Sequence, residues 1–169
     1  GADHGGFDLK QQLVAYLQSA GHQIQDCGTS STEAVDYPVV AESVARTAAS
    51  GQCEVGIMVD GAGIGSAMTA NKVPGVLAAA CYNEVLARSS REHNDANVLT
   101  LGAGQVSFGQ ACGIVDVFLN TLCTAKRHRN RVEMIRAIER KALMAGATGG
   151  HVDLSSDDLE RIAERVRQL

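Results

Sequence analysis

Tryptophan is absent from this 169-residue chain, and three Phe and three Tyr are all it has of Phe and Tyr. With 45% of residues apolar and Ala, Val, Ile and Leu abundant, the composition is that of helices packed on a parallel sheet. No apolar run approaches the roughly 18 residues needed to cross a bilayer, so a membrane span is excluded. The five cysteines (27, 53, 81, 112 and 123) form no CxxC pair, and their odd number does not make a secreted disulfide framework. Reduced thiols in a cytoplasmic protein are expected. There is no HExxH and no paired Cys/His spacing, so no metal site is expected. Positive charge is not in excess: a net −4 argues against a nucleic-acid binder. No internal repeat is found, and the length suits one domain with a full core.

What is present centres on residues 56–65. They read as a buried strand running into a loop with glycine at 61, 63 and 65. Such a loop exposes backbone N–H groups at the carboxyl edge of a sheet, where they can hold a phosphate or a developing oxyanion. Asp60 ends the strand beside them. That combination points to proton transfer on a small anionic substrate. Two nucleotide motifs fail: Ser66 stands where GxGxxG needs its third glycine, and no Lys follows as a Walker loop requires.

Apolar periodicity at Phe7, Leu9, Leu13, Tyr16 and Leu17 predicts a first helix. Strands are expected at 23–27, 55–59, 76–81 and 98–101, and helices at 37–49, from about 65, at 83–91, at 108–122 and at 131–144. Pro38 suits a first helical turn. This alternation defines an α/β fold, a Rossmann-like parallel sheet flanked by helices, in a single domain over 1–144. Because the chain opens on a loop and a helix, a short strand before Gly1 is expected to be missing from the sequence. Residues 145–153 read as a Gly-rich linker, and 154–169 as an amphipathic helix with Leu159, Ile162, Ala163, Val166 and Leu169 on one stripe. That stripe has three readings: docking on its own domain, an oligomer contact, or binding another protein.

Four clusters carry chemistry: Asp3 with His4; Asp60 with its glycine loop; Arg91 through Asn97; and the basic run Lys126 through Arg131. A compact basic run in an acidic chain suits a phosphate grip, since Arg matches phosphate oxygens bidentately. These segments, with Gly28-Thr29, Asp36-Tyr37-Pro38 and Ala70-Asn71-Lys72-Val73-Pro74-Gly75, resemble the type B ribose-5-phosphate isomerases from Gly1 to about Arg140. That family also includes allose- and galactose-6-phosphate isomerases. The resemblance implies aldose–ketose isomerisation through a cis-enediolate, without metal or cofactor. It implies a homodimer or dimer of dimers with shared sites. Asp3 and His93 would assist ring opening, His93 from across the dimer. His4, Arg127 and Arg131 would hold the phosphate, with Tyr37 nearby. Backbone N–H groups of Gly61, Ala62, Gly63, Ile64 and Gly65 would stabilise the enediolate, and Asn94 would contact substrate hydroxyls.

Two features depart from the pattern. Many members carry Cys at the position of Asp60 and Thr at Ala62, and another subgroup carries Glu at the position of Ser66. Asp60 is therefore the expected base. A sugar-phosphate-binding protein with weak turnover is the reading that follows if Asp60 does not serve. The tail is similar to encapsulation peptides that dock enzymes on the shell or cargo proteins of bacterial microcompartments, which would set the enzyme inside such a body.

Overall fold

In the computed structural model, residues 1–147 are described. The expected linker and tail helix lie outside them, except that the last helix runs three residues into the linker. Nine elements follow in order: α1 (Phe7–Ser19), α2 (Tyr37–Ala49), β1 (Gly56–Asp60), α3 (Ile64–Ala70), β2 (Ala78–Ala80), α4 (Glu84–Glu92), β3 (Val98–Gly102), α5 (Phe108–Asn120) and α6 (Lys126–Ala147). Compactness divides the chain after Met134; the first unit holds the sheet, α1 to α5 and the start of α6. In the second, Ile135, Ile138, Leu143 and Met144 are exposed. No helix among the described residues is long and apolar enough to cross a membrane.

The sheet is parallel, in the order β1-β3-β2, with registers from Gly56↔Val98 to Asp60↔Gly102. Alternation along the strands divides the core. Val59, Leu99 and Leu101 pack with Leu9, Leu13, Leu17, Ile114, Val115 and Phe118 of α1 and α5. Met58 and Val98 point to the opposite face, where α2 and α3 supply Val40, Ala41, Val44, Ala45 and Ala70. Every residue of β3 is buried, as a central strand covered on both faces requires.

Two expected elements are corrected. Residues 23–27 are extended but form no strand, because a groove of about 550 Å³ separates Gln23, Ile24 and Gln25 from Val55 and Ile57. Ala2 links the two sides beyond it, bridging Val59 on one side and exchanging hydrogen bonds with Gly28 and Thr29 on the other. The last helix begins at Lys126, five residues before the expected start. The Ala125 carbonyl accepts from His128 and Arg129 N–H, which closes its first turn. Arg and Lys are strong helix formers, so the basic run is itself the first turn and a half of the helix.

Candidate active site

The first cluster lies at the carboxyl edge of the sheet. Asp60 ends β1, and its carboxylate turns into the loop that follows. Oδ1 accepts from the N–H groups of Ala62 (2.8 Å) and Gly63, and Oδ2 accepts from Ser66 N–H (3.1 Å) and Ser66 Oγ. Ser66 is fully buried and Asp60 nearly so. An ionised carboxylate offers about four lone-pair positions, and here four donors occupy them. Part of the donor set expected to face an oxyanion is thus turned onto Asp60. Gly61, Ile64 and Gly65 N–H have no acceptor among the described residues, and they remain the donors open to a ligand.

The loop is clamped from behind by β3. Ala103 N–H donates to Asp60 O (2.7 Å), Gly104 N–H to Gly61 O (3.1 Å), and Thr100 Oγ1 to Gly63 O (2.6 Å). Glycine is required at two positions. Gly63 has φ 79°, and a Cβ there would lie 3.0 Å from the Leu101 carbonyl carbon. A Cβ at Gly102 would meet the Ala62 backbone at 2.7 Å.

Five further side chains join this edge. Asp3 follows the Ala2–Val59 bridge, and its Oδ1 accepts from Gly6 N–H at 2.9 Å. A Cβ on Gly5 would sit 3.5 Å from Asp3 Oδ1 and 3.9 Å from Gly61 N, so Asp3 borders the glycine loop. Tyr37 lies over Gly65, whose Cβ position is 2.7 Å from the ring, and Tyr82 Oη donates to Ala62 O at 3.0 Å. His4 is exposed, with Nδ1 3.3 Å from Val35 N; accepting that N–H leaves Nε2 for a ligand. Cys81, which follows β2 at the same edge, is buried, and burial pushes its thiol pKa up against a weaker opposing Ser90 contact. It offers little thiolate.

The second cluster lies at the other end. His93 caps the C-terminus of α4, before the first residue of β3, and stacks edge-on against His128 with centroids 4.3 Å apart. Buried His128 accepts from Arg127 Nε at 3.1 Å and reaches Glu92 O with Nδ1 at 3.1 Å. His93 Nδ1 lies 3.2 Å from Ser89 Oγ and its Nε2 3.8 Å from Glu92 Oε1. Asn94, Arg127 and Arg131 are exposed. The ligand atoms of Glu92, His93 and His128 come within 4.8 Å of one another. Arg127 donates to His128 Nε2, so the one ring nitrogen not facing Glu92 O is already in use. Arg91 is structural: it holds the Phe118, Thr121 and Ala96 carbonyls and covers the Phe118 ring.

Within one chain these clusters are separated by the length of the strands, about 13 Å for five residues. No hydrogen bond or ring contact among the described residues joins them. The expected grip of one phosphate by His4 together with Arg127 and Arg131 is therefore not made inside one chain. Sequence reasoning also missed His128, hidden in a basic run read as a phosphate grip, and the Ser66–Asp60 pair, whose only signal was the position of Ser66.

A parallel α/β sheet with a glycine loop, two carboxylates and a tyrosine at its carboxyl edge defines a class of small-molecule enzymes acting on anionic substrates. Comparison with known proteins narrows it. Residues 1–135 match the family model described as Ribose/Galactose Isomerase. The chain is 43% identical over 141 residues to ribose-5-phosphate isomerase B of Escherichia coli, covering 83% of this chain and 95% of that one. It superposes on ribose-5-phosphate isomerase B of Clostridium thermocellum with TM-score 0.82 and 45% identity, covering 84% and 96% of the two chains. It also matches that enzyme from Mycoplasma genitalium with bound ribulose-5-phosphate, at TM-score 0.79 and 35% identity, covering 82% and 93%. The chain belongs to the ribose/galactose isomerase family.

Proposed function

We propose that this protein interconverts ribose 5-phosphate and ribulose 5-phosphate as an aldose–ketose isomerase. The observation that carries the reading is a clamped glycine loop with free N–H groups beside the Asp3 and Asp60 carboxylates, in a chain so close to named isomerases. Moving a proton between C1 and C2 needs a base near those carbons and donors where the enediolate oxygen develops. Gly61, Ile64 and Gly65 N–H supply the donors. Asp3 and Asp60 are the acidic groups at hand.

The phosphate is held by His4 together with Arg127 and Arg131, the two arginines coming from a second subunit. Lys126, Arg127 and Arg129 crowd the first turn of α6, where the helix dipole disfavours cations. A bound phosphate offsets that repulsion. In the same assembly His93 assists ring opening at the neighbouring subunit's loop, and Asn94 reaches substrate hydroxyls. Ile64 and Met68, one turn apart on α3 and exposed beside the loop, fit a homodimer interface. For residues 154–169 the apolar stripe supports docking on a microcompartment shell or cargo protein. A reporter fused to 145–169 that fails to co-purify with such proteins would remove that reading.

The test of the main reading is turnover of ribose 5-phosphate by the purified full chain, beside allose 6-phosphate and galactose 6-phosphate. Highest kcat/KM on the pentose phosphate is expected. Preference for a six-carbon sugar moves the substrate, and binding without turnover removes the activity.

A further inference from the structure

The two carboxylates of the carboxyl edge differ in what their oxygens already do. Asp60 has both oxygens engaged by Ala62, Gly63 and Ser66 of its own loop. For its carboxylate to take a carbon-bound proton, at least one of those donors must let go. Breaking a bond to a buried charged group costs about 1.5–3 kcal/mol before any chemistry starts. The same movement would pull apart the turn that aims the loop's free donors.

Asp3 is also buried, but its oxygens are less occupied. Its Oδ1 accepts once, from Gly6, and no hydrogen bond among the described residues reaches Oδ2. Yet no buried side-chain oxygen or nitrogen in the described residues lacks a partner, so Oδ2 opens to solvent and to a ligand. The Gly6 bond and the Ala2–Val59 bridge hold it in place beside Gly61.

We infer that Asp3 is the base that carries the proton between C1 and C2, and that Asp60 is a positioning residue that shapes the loop with Ser66. This rests on the isomerase reading. Starting from the open-chain aldose, the C2–H bond breaks and its proton goes to Asp3 Oδ2. The electron pair forms the C1–C2 double bond, and O1 takes the carbonyl pair as an oxyanion facing the free N–H groups. The O2 proton passes to O1. O2 then closes to the ketone while C1 takes the proton back from Asp3, so the carboxylate ends as it began. Ser66 keeps Asp60 in its acceptor role, which explains why Asp at position 60 is joined with a buried hydroxyl at position 66.

The resemblance to the family assigns Asp3 to ring opening, and the substrate itself separates the two roles. Ribulose 5-phosphate cannot close a five-membered ring, because its C5 oxygen bears the phosphate. It enters the site already open. The experiment follows loss of ribulose 5-phosphate, and exchange of its C1 proton in deuterated water by NMR, for the wild type, Asp3→Asn and Asp60→Asn. Far-UV circular dichroism and protection of the variants by inorganic phosphate show that fold and site persist. The expected result is loss of both signals by at least about 100-fold in Asp3→Asn, the scale of a missing acid–base group. Asp60→Asn keeps measurable exchange at reduced rate, because Asn still accepts from Ala62 and Gly63.

Ribulose 5-phosphate turnover retained by Asp3→Asn, with ribose 5-phosphate turnover lost, would confine Asp3 to ring opening and overturn the inference. Loss of exchange in both variants would overturn the division of roles. A wild type inactive on either pentose phosphate fails the isomerase reading instead, which is a different outcome from an active wild type with an active Asp3→Asn. A pH profile adds a readout that packing alone would not move. Ser66→Ala lowers kcat without shifting the acidic limb of kcat against pH if Asp60 only positions. A shifted limb would make Asp60 the titrating base.

Discussion

The two edges of the sheet are built on different principles. At the carboxyl edge, backbone does the work: the Asp60 loop is closed on itself, clamped by Thr100, Ala103 and Gly104, and admits no Cβ at Gly63 or Gly102. At the amino edge, side chains do it, with His93, Asn94, Arg127 and Arg131 exposed around buried His128. The first is a half-site of backbone donors and carboxylates whose lysine, Lys10, is already engaged by Asp26 and Thr29. The second is a set of cations and a histidine with no carbonyl-activating loop. Each has what the other is missing, and a rigid strand keeps them apart in one chain. Disrupting the first edge should therefore destroy proton transfer, and removing the arginines of the second should weaken binding.

Among changes that leave every functional side chain in place, the largest effect is expected from Gly102→Ala. Its methyl group would push on the Ala62 backbone at 2.7 Å, displacing the donors by a fraction of an ångström or more. Misplacement on that scale lowers kcat by about 100-fold. Steady-state turnover of ribose 5-phosphate measures it, and a melting curve separates it from unfolding. A kcat within a few fold of wild type would show that the loop's shape is not what the chemistry uses.

Arg127→Ala and Arg131→Ala come next. Loss of one charge-assisted contact to a phosphate costs about 1.5–3 kcal/mol, so KM should rise by about 10- to 100-fold with kcat less affected. Inhibition by inorganic phosphate should weaken in parallel. An unchanged KM in both would leave the basic run without the phosphate.

Subunit mixing tests whether the two edges meet. Asp3→Asn and His93→Asn are each expected to be nearly inactive. If sites are shared between subunits, a mixed dimer carries one site with both changes and one with neither. Random exchange then restores about a quarter of wild-type activity, since half the dimers are mixed and each has one good site. No recovery after verified exchange would mean that each chain builds its own site.

How much of this could be read from the sequence depends on whether the cause was local. The glycine loop was legible because φ and close approach demand glycine at particular positions, and Gly63 and Gly102 obey that demand. The hydrogen bonds of Asp60 were not, because lone-pair occupancy depends on where the N–H groups of residues 62, 63 and 66 point after folding. Residues 23–27 carry a strand pattern, yet a strand exists only with a ladder partner, and across the groove there is none. The early start of α6 was missed because a cationic run has no cap residue to announce it. Lys10 was missed for another reason: on an amphipathic pattern it reads as solvent face, but it is buried.

That lysine gives the smallest and most local prediction. Lys10 Nζ donates to Asp26 Oδ2 and to Thr29 O, both at 2.6 Å, while Gly28 N–H donates to Asp26 Oδ1 at 2.9 Å. Partial burial pushes the Asp26 carboxyl up, but the Lys10 bond, the Gly28 N–H and the lysine charge together outweigh it and hold the pKa below the ordinary value. A carboxyl whose folded pKa is depressed contributes stability above its unfolded pKa, near 4, and loses it as pH falls through the folded value. Since the Asp26 side chain is 42% exposed, solvent screens the pair, and about 0.5–1 kcal/mol is expected. Urea titrations at neutral pH and near pH 3 should show that Asp26→Asn is destabilised at neutral pH and flatter than wild type on acidification. The pair belongs to the carboxyl edge, because Thr29 N–H also holds Ala2 O beside Asp3. Acid should thus loosen the Asp3 side of the site. Hydrogen exchange at Ala2–Asp3 that does not quicken on acidification in the wild type would separate the Asp26 pair from the carboxyl edge.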